Sequence, residues 1–352
     1  YGPVDFSTWG VLNKVYAFAE LRKLAGSKVA VYPAAAVEST PQLEFLKAVM
    51  FGASAPDSLL PLEVEVAERL IDYFGPQLAL AAAHAPEYRY WIDLGKNMGP
   101  VRLVRAPSPG ASVRYLSASA ALAELERLID TILDSGAVPS SLKLGSDYDT
   151  DAVVGVLRHL ALYWSAELPE RKHPRHSVKS RLSVAHGYDS VMRVLDAASS
   201  LDFDASAVES WVVENVSAGG FGAVIPQLKG DWLRVGVMVA MQPEGGSNWV
   251  LGLVRRVSKT DNHQARVGIQ TLSKAPLVSQ FSVGTAAEQG IVLKGAGPEN
   301  VESSVALRTG VFAPTQNLEA DRSGRHYVYM PVGLIERGED YEIGRYREMI
   351  RE

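Results

Sequence analysis

The hydrophobic pattern divides the chain into a first half with helical periodicity and a second half with strand alternation. In Ser117–Ser135 apolar residues recur every three or four positions and Gly136 follows, which predicts an amphipathic helix with a glycine stop. Pro61–Phe74 predicts another helix, entered through proline and ended by Gly75. The same pattern predicts three further helices at Phe6–Leu24, Pro41–Phe51 and Asp149–Ser165, and two short strand-like or loop segments at Tyr88–Leu94 and Val101–Arg105.

From about residue 177 onward, apolar and polar residues alternate in short runs separated by turn residues, which is typical of a small barrel. A first group of strands is predicted at Ser177–Val184, Trp211–Val213, Phe221–Ile225, Trp232–Met241, Asn248–Val257 and Ala265–Leu272. A second group is predicted at Gly290–Leu293, Ser304–Phe312, His326–Met330 and Tyr341–Tyr346. The second group forms either a separate small barrel or an extension of the first sheet. Within the first group, Ser190–Ala197 has a helical pattern instead.

The stretch Glu167–Arg175 is charged and contains Pro169 and Pro174, as expected of a linker held away from a core. We therefore predict an α+β multidomain protein. A mainly helical domain spans residues 1–166, an antiparallel β-barrel with an arginine-bearing N-terminal linker spans 167–275, and a C-terminal β-rich domain or extension spans 276–352.

The composition narrows the classes of function. With 352 residues, 47% of them hydrophobic, the chain is long enough for two or three domains with their own cores. Its net charge of −5 argues against general DNA or RNA binding, which uses a broad basic surface. The absence of cysteine excludes disulfides and thiol catalysis, and no apolar run reaches the roughly 20 residues of a membrane-spanning helix. We expect a cytoplasmic protein with no membrane span and no nucleic-acid partner.

Two short motifs carry candidate binding chemistry. Arg171 and Arg175 lie four residues apart in the linker, and each guanidinium group can stack on a base or form paired hydrogen bonds to phosphate oxygens or a guanine edge. A solvated linker is the simpler interpretation of these two arginines taken alone.

The second motif is the run from Asn215 to Gly220. Asn215 and Ser217 are two residues apart, so on an extended segment they point to the same face. Gly219 and Gly220 allow backbone N–H groups to approach an anion closely. A tight turn capped by the asparagine is the simpler interpretation of this run taken alone. The two motifs together favour a site for a phosphorylated guanine ligand.

This pair of motifs, followed by a β-rich region, resembles the PilZ family of cyclic di-GMP receptors, whose signature is RxxxR and then (D/N)xSxxG. Arg171 and Arg175 match the first part, and Asn215, Ser217 and Gly220 match the second. The resemblance covers roughly residues 168–275. The gap between the motifs is longer than usual for the family, because of an insertion in Tyr188–Ser210 that either stays clear of the ligand or covers and competes for the site.

The resemblance implies a cyclic di-GMP receptor whose linker wraps the ligand, often an intercalated dinucleotide dimer, against the barrel face. The ligand-binding residues would be Arg171, Arg175, Asn215, Ser217, Gly219 and Gly220. The resemblance also implies a bacterial source and control of motility, biofilm formation or exopolysaccharide production. The alternative is a PilZ-like scaffold that binds no ligand and acts through protein contacts. A protein partner of unknown identity, contacting the helical domain, and a homodimer are both left open.

No cofactor, metal or catalytic residue is predicted, and we expect the protein not to be an enzyme. His173 and His176 lack a third ligand, so a zinc site is not supported. The run Asp147–Asp151 resembles the start of a calcium loop but lacks its glycine and its final glutamate, so helix capping explains it better. Arg255 and Arg256 are consecutive residues of one predicted strand, so their side chains point to opposite faces. One of them can face the ligand surface, although an exposed strand charge is the simpler interpretation of each.

Overall fold

The computed structural model describes residues 4–32, 37–108, 110–145, 148–167, 174–197, 208–259, 264–284, 286–294, 302–322 and 324–351. It divides into two compact units, residues 2–171 and residues 172–352. The first is rich in helices and the second consists mainly of antiparallel strands. The predicted fold class, an α+β multidomain protein that begins with a mainly helical part, is confirmed.

The helical unit packs its helices around one apolar core that includes Val49, Leu70, Leu125 and Trp164. Its helices are α1 (Phe6–Leu21), α2 (Pro41–Ala53), α3 (Pro61–Phe74), α4 (Ser119–Ser135) and α5 (Thr150–Trp164). Its strands are β1 (Val29–Tyr32), β2 (Val37–Ser39), β3 (Ala79–Ala81), β4 (Tyr90–Asp93), β5 (Val101–Arg102) and β6 (Val113–Ser117). β1 pairs with β2, and the others form a sheet in the order β3-β6-β4-β5.

Local signals in the sequence fix the ends of these helices. α4 ends where Gly136 adopts a left-handed conformation (φ 66°), which glycine reaches without steric cost. α5 begins after Asp149, whose carboxylate accepts a hydrogen bond from the Ala152 N–H at 2.7 Å. The capping role predicted for the Asp147–Asp151 run is therefore confirmed at Asp149.

The barrel unit begins with a closed six-stranded antiparallel barrel in the strand order β10-β11-β12-β9-β8-β7. Its strands are β7 (His176–His186), β8 (Glu209–Ser217), β9 (Gly220–Ile225), β10 (Met238–Pro243), β11 (Val250–Lys259) and β12 (Ala265–Ser273). The predicted first and closing strands correspond to β7 and β12. The strand predicted at Trp232–Met241 was wrong in its first half, since β10 starts only at Met238.

A second closed six-stranded barrel follows in the order β13-β14-β15-β18-β17-β16. Its strands are β13 (Leu277–Val283), β14 (Ala286–Lys294), β15 (Glu302–Arg308), β16 (Leu318–Arg322), β17 (Arg325–Arg337) and β18 (Tyr341–Arg351). Counted from the first strand of each barrel, both follow the closed order 1-2-3-6-5-4. The C-terminal stretch is thus a barrel of its own with the same strand order. The sequence did not predict β13 or β16.

The helix α6 (Tyr188–Ala197) joins the two barrels. Its apolar face shares one cluster with residues of both, including Leu253 from the first and Ile343 from the second. The Tyr188 hydroxyl donates to the Gln289 carbonyl at 3.1 Å, and the Tyr188 N–H donates to the Asp340 carboxylate at 2.7 Å. Burial raises the pKa of Tyr188 well above its usual value, so its hydroxyl stays protonated as a donor.

Candidate functional site

The hairpin of β8 and β9 carries the second sequence motif on the outside of the first barrel. Val213 pairs with Ala223, and both are buried in the barrel. The next pair is Asn215 with Gly222, because Glu214 is an extra residue that forms a β-bulge. Gly222 is next to the inward-facing Ala223 on β9 and therefore faces outward, and Asn215, directly opposite it, faces outward too. The bulge turns Asn215 from the core to the surface.

Asn215 lies flat over the backbone of Gly222. A Cβ atom placed on Gly222 would lie only 2.6 Å from Asn215 Nδ2, so the amide occupies the space that a side chain on Gly222 would need. Asn215 Oδ1 is shielded from solvent and has no hydrogen-bond partner among the described residues. A buried, unpaired amide oxygen is costly unless a ligand or water satisfies it. A ligand donor such as a guanine N–H reaches this acceptor only when the amide turns away from Gly222.

Ser217 and Gly220 close the hairpin. Ser217 Oγ donates to the Gly220 carbonyl at 3.3 Å, and these two residues pair across the turn on the same outer face as Asn215. Gly220 is needed for packing as well: a Cβ atom on it would lie 1.9 Å from the backbone oxygen of Ile269 on β12. The Gly219 carbonyl accepts from the Thr271 N–H at 2.9 Å, so the turn is tied to the neighbouring strand.

The first motif leads directly into this face. His176 pairs with Val216 and Ser177 with Asn215, so the start of β7 runs beside the hairpin. Arg175 is exposed and immediately precedes β7, at the level of the hairpin end of β8. Arg171 lies outside the described residues. The structure therefore brings Arg175, Asn215, Ser217, Gly219 and Gly220 into one region.

A strip of glycine extends the same face across the barrel. Gly222 pairs with Gly268 on β12, and Gly268 pairs with Arg256 on β11. Since strands are about 4.8 Å apart, Arg256 lies roughly 14 Å along the sheet from Asn215. Arg256 is exposed, and the two glycines leave the surface between them without side chains. Sequence reasoning did not single out Gly222 or Gly268, although their alternation with buried residues was a usable signal.

The two neighbouring arginines have different surroundings. Arg255 forms two hydrogen bonds of 2.5 Å to Glu336 on β17, and its Nε donates to Gln270 at 2.7 Å. It therefore connects the two barrels. Arg256 is the one that shares the outer face with the motif.

The acidic residue next to Asn215 in the sequence is paired with a positive charge. Glu214, the bulge residue, lies 3.5 Å from Arg266 in an ion pair. α6, which begins the insertion noted in the sequence, starts at the far end of β7, roughly 30 Å along the strand from His176. Its residue Asp189 pairs with Arg308 of the second barrel. α6 thus stays clear of the motif, whereas residues 198–207 of the insertion lie outside the described residues.

A cavity of about 550 Å³ lies on the same barrel beside α6, lined by His186, Arg193, Glu209 and Lys229 among others. It contains none of the motif residues. The His186 ring stacks on Trp232 with 3.6 Å between ring centroids. Burial lowers the pKa of His186, against an opposing effect of the nearby Glu209 carboxylate. The motif lies instead on an open face, as expected for a ligand that a linker would cover.

Comparison with known proteins identifies a different segment of the chain. Residues 1–85 match the family model described as "Cyclic-di-GMP receptor FimW, N-terminal domain". The match covers 85 of the 352 residues and includes α1, α2 and α3. It does not overlap the motif region, so two separate parts of the chain resemble cyclic di-GMP receptors, and the recognition made from the sequence is confirmed. No curated protein and no solved structure matches the chain.

The described residues contain no group of three or more His, Cys, Asp or Glu side chains placed to hold a metal ion. None of their helices is long and apolar enough to cross a membrane.

Proposed function

We propose that this chain, whose first 85 residues match the N-terminal domain of a cyclic di-GMP receptor, binds cyclic di-GMP on the outer face of its first barrel. The observation that carries the proposal is the bulge at Glu214, which places Asn215 outside the barrel, beside Ser217 and the linker, with its Oδ1 atom unpaired among the described residues. The match to residues 1–85 supports the same ligand from a separate part of the chain.

Each motif residue has a proposed role that follows from its chemistry. Arg171 and Arg175 stack on the guanine bases and bind phosphate oxygens or guanine edges, because a guanidinium group offers both a planar face and a fork of donors. Asn215 accepts a hydrogen bond from a guanine. Ser217, whose hydroxyl donates to the Gly220 carbonyl, either accepts a hydrogen bond from a base or exchanges that contact for a bond to a phosphate. The turn at Gly219 and Gly220 lets the ligand approach the backbone.

The glycine strip suits a flat ligand that lies along the sheet. Gly222 and Gly268 would form its floor, and Arg256 would meet the end of the ligand farthest from the linker. A face of this length fits an intercalated pair of dinucleotides better than a single one, so we propose a stoichiometry of two cyclic di-GMP molecules per chain.

Ligand binding would act on the connection between the helical unit and the barrel unit, since the arginine motif lies in the linker between them. The ligand can drive such a switch only if it binds two arrangements of the linker with different affinity. We propose that the output is regulation of a protein partner in the bacterial cytoplasm, in the control of motility, biofilm formation or exopolysaccharide production.

Isothermal titration calorimetry of cyclic di-GMP tests the proposal on the full chain. The wild type should bind with micromolar or tighter affinity and a stoichiometry near two. The variant Arg171→Ala/Arg175→Ala should lose this binding. The variant Arg105→Ala/Arg158→Ala is the matched control, because it removes two exposed positive charges from the helical unit and should bind like the wild type. Two further ligands are titrated in parallel. Cyclic di-AMP keeps the cyclic backbone but lacks guanine, so it tests guanine recognition. GTP keeps guanine but lacks the cyclic backbone, so it tests recognition of that backbone.

The alternative outcomes are distinct. A wild-type chain that gives no heat at two salt concentrations contradicts the receptor function and leaves the first barrel as a scaffold for protein contacts. Equal loss of binding in the two double variants would mean that net charge, and not the motif, determines affinity.

A further inference from the structure

The second barrel reaches the border of the outer face of the first barrel on which the second sequence motif lies, here called the motif face. Gly220, in the motif hairpin, pairs with Gln270 on β12, and neighbouring strands are about 4.8 Å apart. Gln270 is exposed, and its side-chain oxygen accepts a hydrogen bond from Arg255 Nε at 2.7 Å. The other two nitrogens of the Arg255 guanidinium group donate to the two carboxylate oxygens of Glu336 on β17, each at 2.5 Å. Consecutive contacts therefore connect the motif hairpin to the second barrel.

A β-bulge directs Arg255 towards this border. On β11 the residues before and after Arg255 pair with the consecutive residues Ile269 and Gly268, so Arg255 is an extra residue in that register. The bulge lets its side chain leave the regular alternation of the strand and meet both Gln270 and Glu336. The position of Arg255 therefore follows from the register of two paired strands and not from a loop.

Its partners hold the guanidinium group of Arg255 flat and in one place. The Arg255 side chain is 38% exposed, and that of Glu336 is 22% exposed. The charges of this pair oppose each other, so the position attracts a phosphate less than a linker arginine does. A base that stacks on the flat face of the guanidinium group leaves its three hydrogen bonds intact. Since the group is already ordered, such stacking costs little side-chain entropy.

Two more contacts fix the second barrel at this point. The Tyr341 hydroxyl donates to the Gly236 carbonyl of the first barrel at 2.7 Å. Arg234 forms an ion pair with Glu339, which lies in the turn between β17 and β18. Glu336 is therefore held beside the first barrel by neighbouring residues as well as by its own ion pair.

We propose that Arg255 binds the ligand by stacking on a guanine at the second-barrel border of the motif face, and that Gln270 and Glu336 are its positioning residues. The inference rests on the proposed function, because it takes cyclic di-GMP as the ligand. It adds a residue of the second barrel to a site otherwise formed by the first barrel and the linker. The second barrel then contributes to affinity although it carries no sequence motif of its own.

Calorimetry of cyclic di-GMP with the full chain tests the stacking role. Arg255→Lys keeps the positive charge but loses the flat group, so it should weaken binding about tenfold if a base stacks there. Lysine would preserve most of the affinity if the arginine bound a phosphate instead.

The role of Glu336 is tested by the sign of its effect. Glu336→Gln removes a negative charge close to an anionic ligand, and by charge alone this change should strengthen binding. A positioning role predicts the opposite, a loss of about fivefold, because the guanidinium group is no longer held in place. The double variant Arg255→Lys/Glu336→Gln should bind no more weakly than Arg255→Lys, since Glu336 acts through Arg255.

Glu339→Gln is the matched control, because it breaks the ion pair with Arg234 between the same two barrels by the same change of side chain. It should bind like the wild type. Equal losses in Glu336→Gln and Glu339→Gln would overturn the proposal, since a loosened contact between the barrels would explain both. Thermal unfolding shows whether each variant is folded at the temperature of the titration. If Glu336→Gln is not, Gln270→Ala at an exposed position takes its place and should weaken binding a few-fold.

The wild type separates this inference from the proposed function. A wild-type chain that does not bind cyclic di-GMP overturns both. If the wild type binds and Arg255→Lys binds equally tightly, the stacking role is wrong and the receptor function stands. If Glu336→Gln strengthens binding, the positioning role is wrong in the same way.

Discussion

At the scale of single residues, two glycines on the proposed ligand face should respond differently to the same substitution. The three atoms nearest to a Cβ atom on Gly222 all belong to the Asn215 amide, whereas the nearest to one on Gly220 is the backbone oxygen of Ile269. We therefore expect Gly222→Ala to displace Asn215 and weaken cyclic di-GMP binding about tenfold, at a stability cost below about 1 kcal/mol. Gly220→Ala should cost about 2–4 kcal/mol, because a strand must move. Calorimetry and urea unfolding measure the two effects.

Asn215→Ala is the control for this comparison. It should weaken binding as much as Gly222→Ala does, because both remove the amide from its position. If Gly222→Ala leaves the affinity unchanged, then Asn215 does not contact the ligand and the role proposed for it is wrong.

The same residues show what the sequence could and could not predict about the site. Spacing alone predicted that Asn215 and Ser217 share a face, and the pairing of both with outward-facing glycines agrees with that. Spacing alone would also have put Asn215 on the buried face of Trp211 and Val213, because all three are separated by two residues. The bulge at Glu214 puts Asn215 on the outer face instead. A bulge is set by the register between two paired strands, so it cannot be predicted from the sequence of one strand alone.

At the scale of elements, hydrogen bonds from Arg102 hold the end of α5 and the residues that lead into the linker. Arg102 donates to the backbone oxygens of Tyr163, Ser165 and Glu167, at 2.6, 2.7 and 3.2 Å. Arg102→Met should lose these charged hydrogen bonds and destabilise the helical unit by about 2–3 kcal/mol. It should also weaken cyclic di-GMP binding a few-fold, since Arg171 follows Glu167 by only four residues. Thermal unfolding and calorimetry measure the two effects.

Arg158→Met, an exposed substitution on α5, is the matched control and should change neither quantity. An Arg102→Met variant that loses stability but keeps full affinity would show that the start of the linker need not be held for the ligand to bind.

Elements with strong local signals were predicted well, and elements that depend on distant partners were not. α3 was predicted with its observed bounds, because proline and glycine mark its ends. α6 was predicted as a helix from its periodicity, but its position between two barrels depends on apolar faces that are distant in sequence. β16 was missed because its five residues include three charged ones, so its alternation is hard to distinguish from a loop.

At the scale of the whole molecule, the two barrels share a strand order without an evident sequence repeat. A small closed barrel requires only inward apolar alternation and turns of suitable length, so different sequences can specify it. The second barrel could be predicted as β-rich, but its closure could not, because closure depends on the pairing of β13 with β16. Function does not follow from the shared topology, since the motif occurs only in the first barrel.

Both units should lose stability as the pH falls, through a half-buried histidine in each, His159 and His186. Burial lowers the pKa of His159, which lies 2.5 Å from the Ser54 oxygen in the helical unit, and burial likewise lowers the pKa of His186 in the barrel unit. The unfolded chain protonates these groups near pH 6.5, whereas the folded chain keeps them neutral to lower pH. Their contribution to the stability is therefore complete above about pH 6.5 and declines as the pH falls towards the lowered folded-state pKa values.

Hydrogen exchange at pH 7.5 and 5.5, corrected for intrinsic rates, should show this loss of stability as faster exchange in peptides from α5 and β7. His186→Phe keeps the stack on Trp232 and should remove the pH dependence from β7 alone, while the exposed His84→Gln should change neither. A pH dependence of β7 that persists in His186→Phe would assign the effect to other groups.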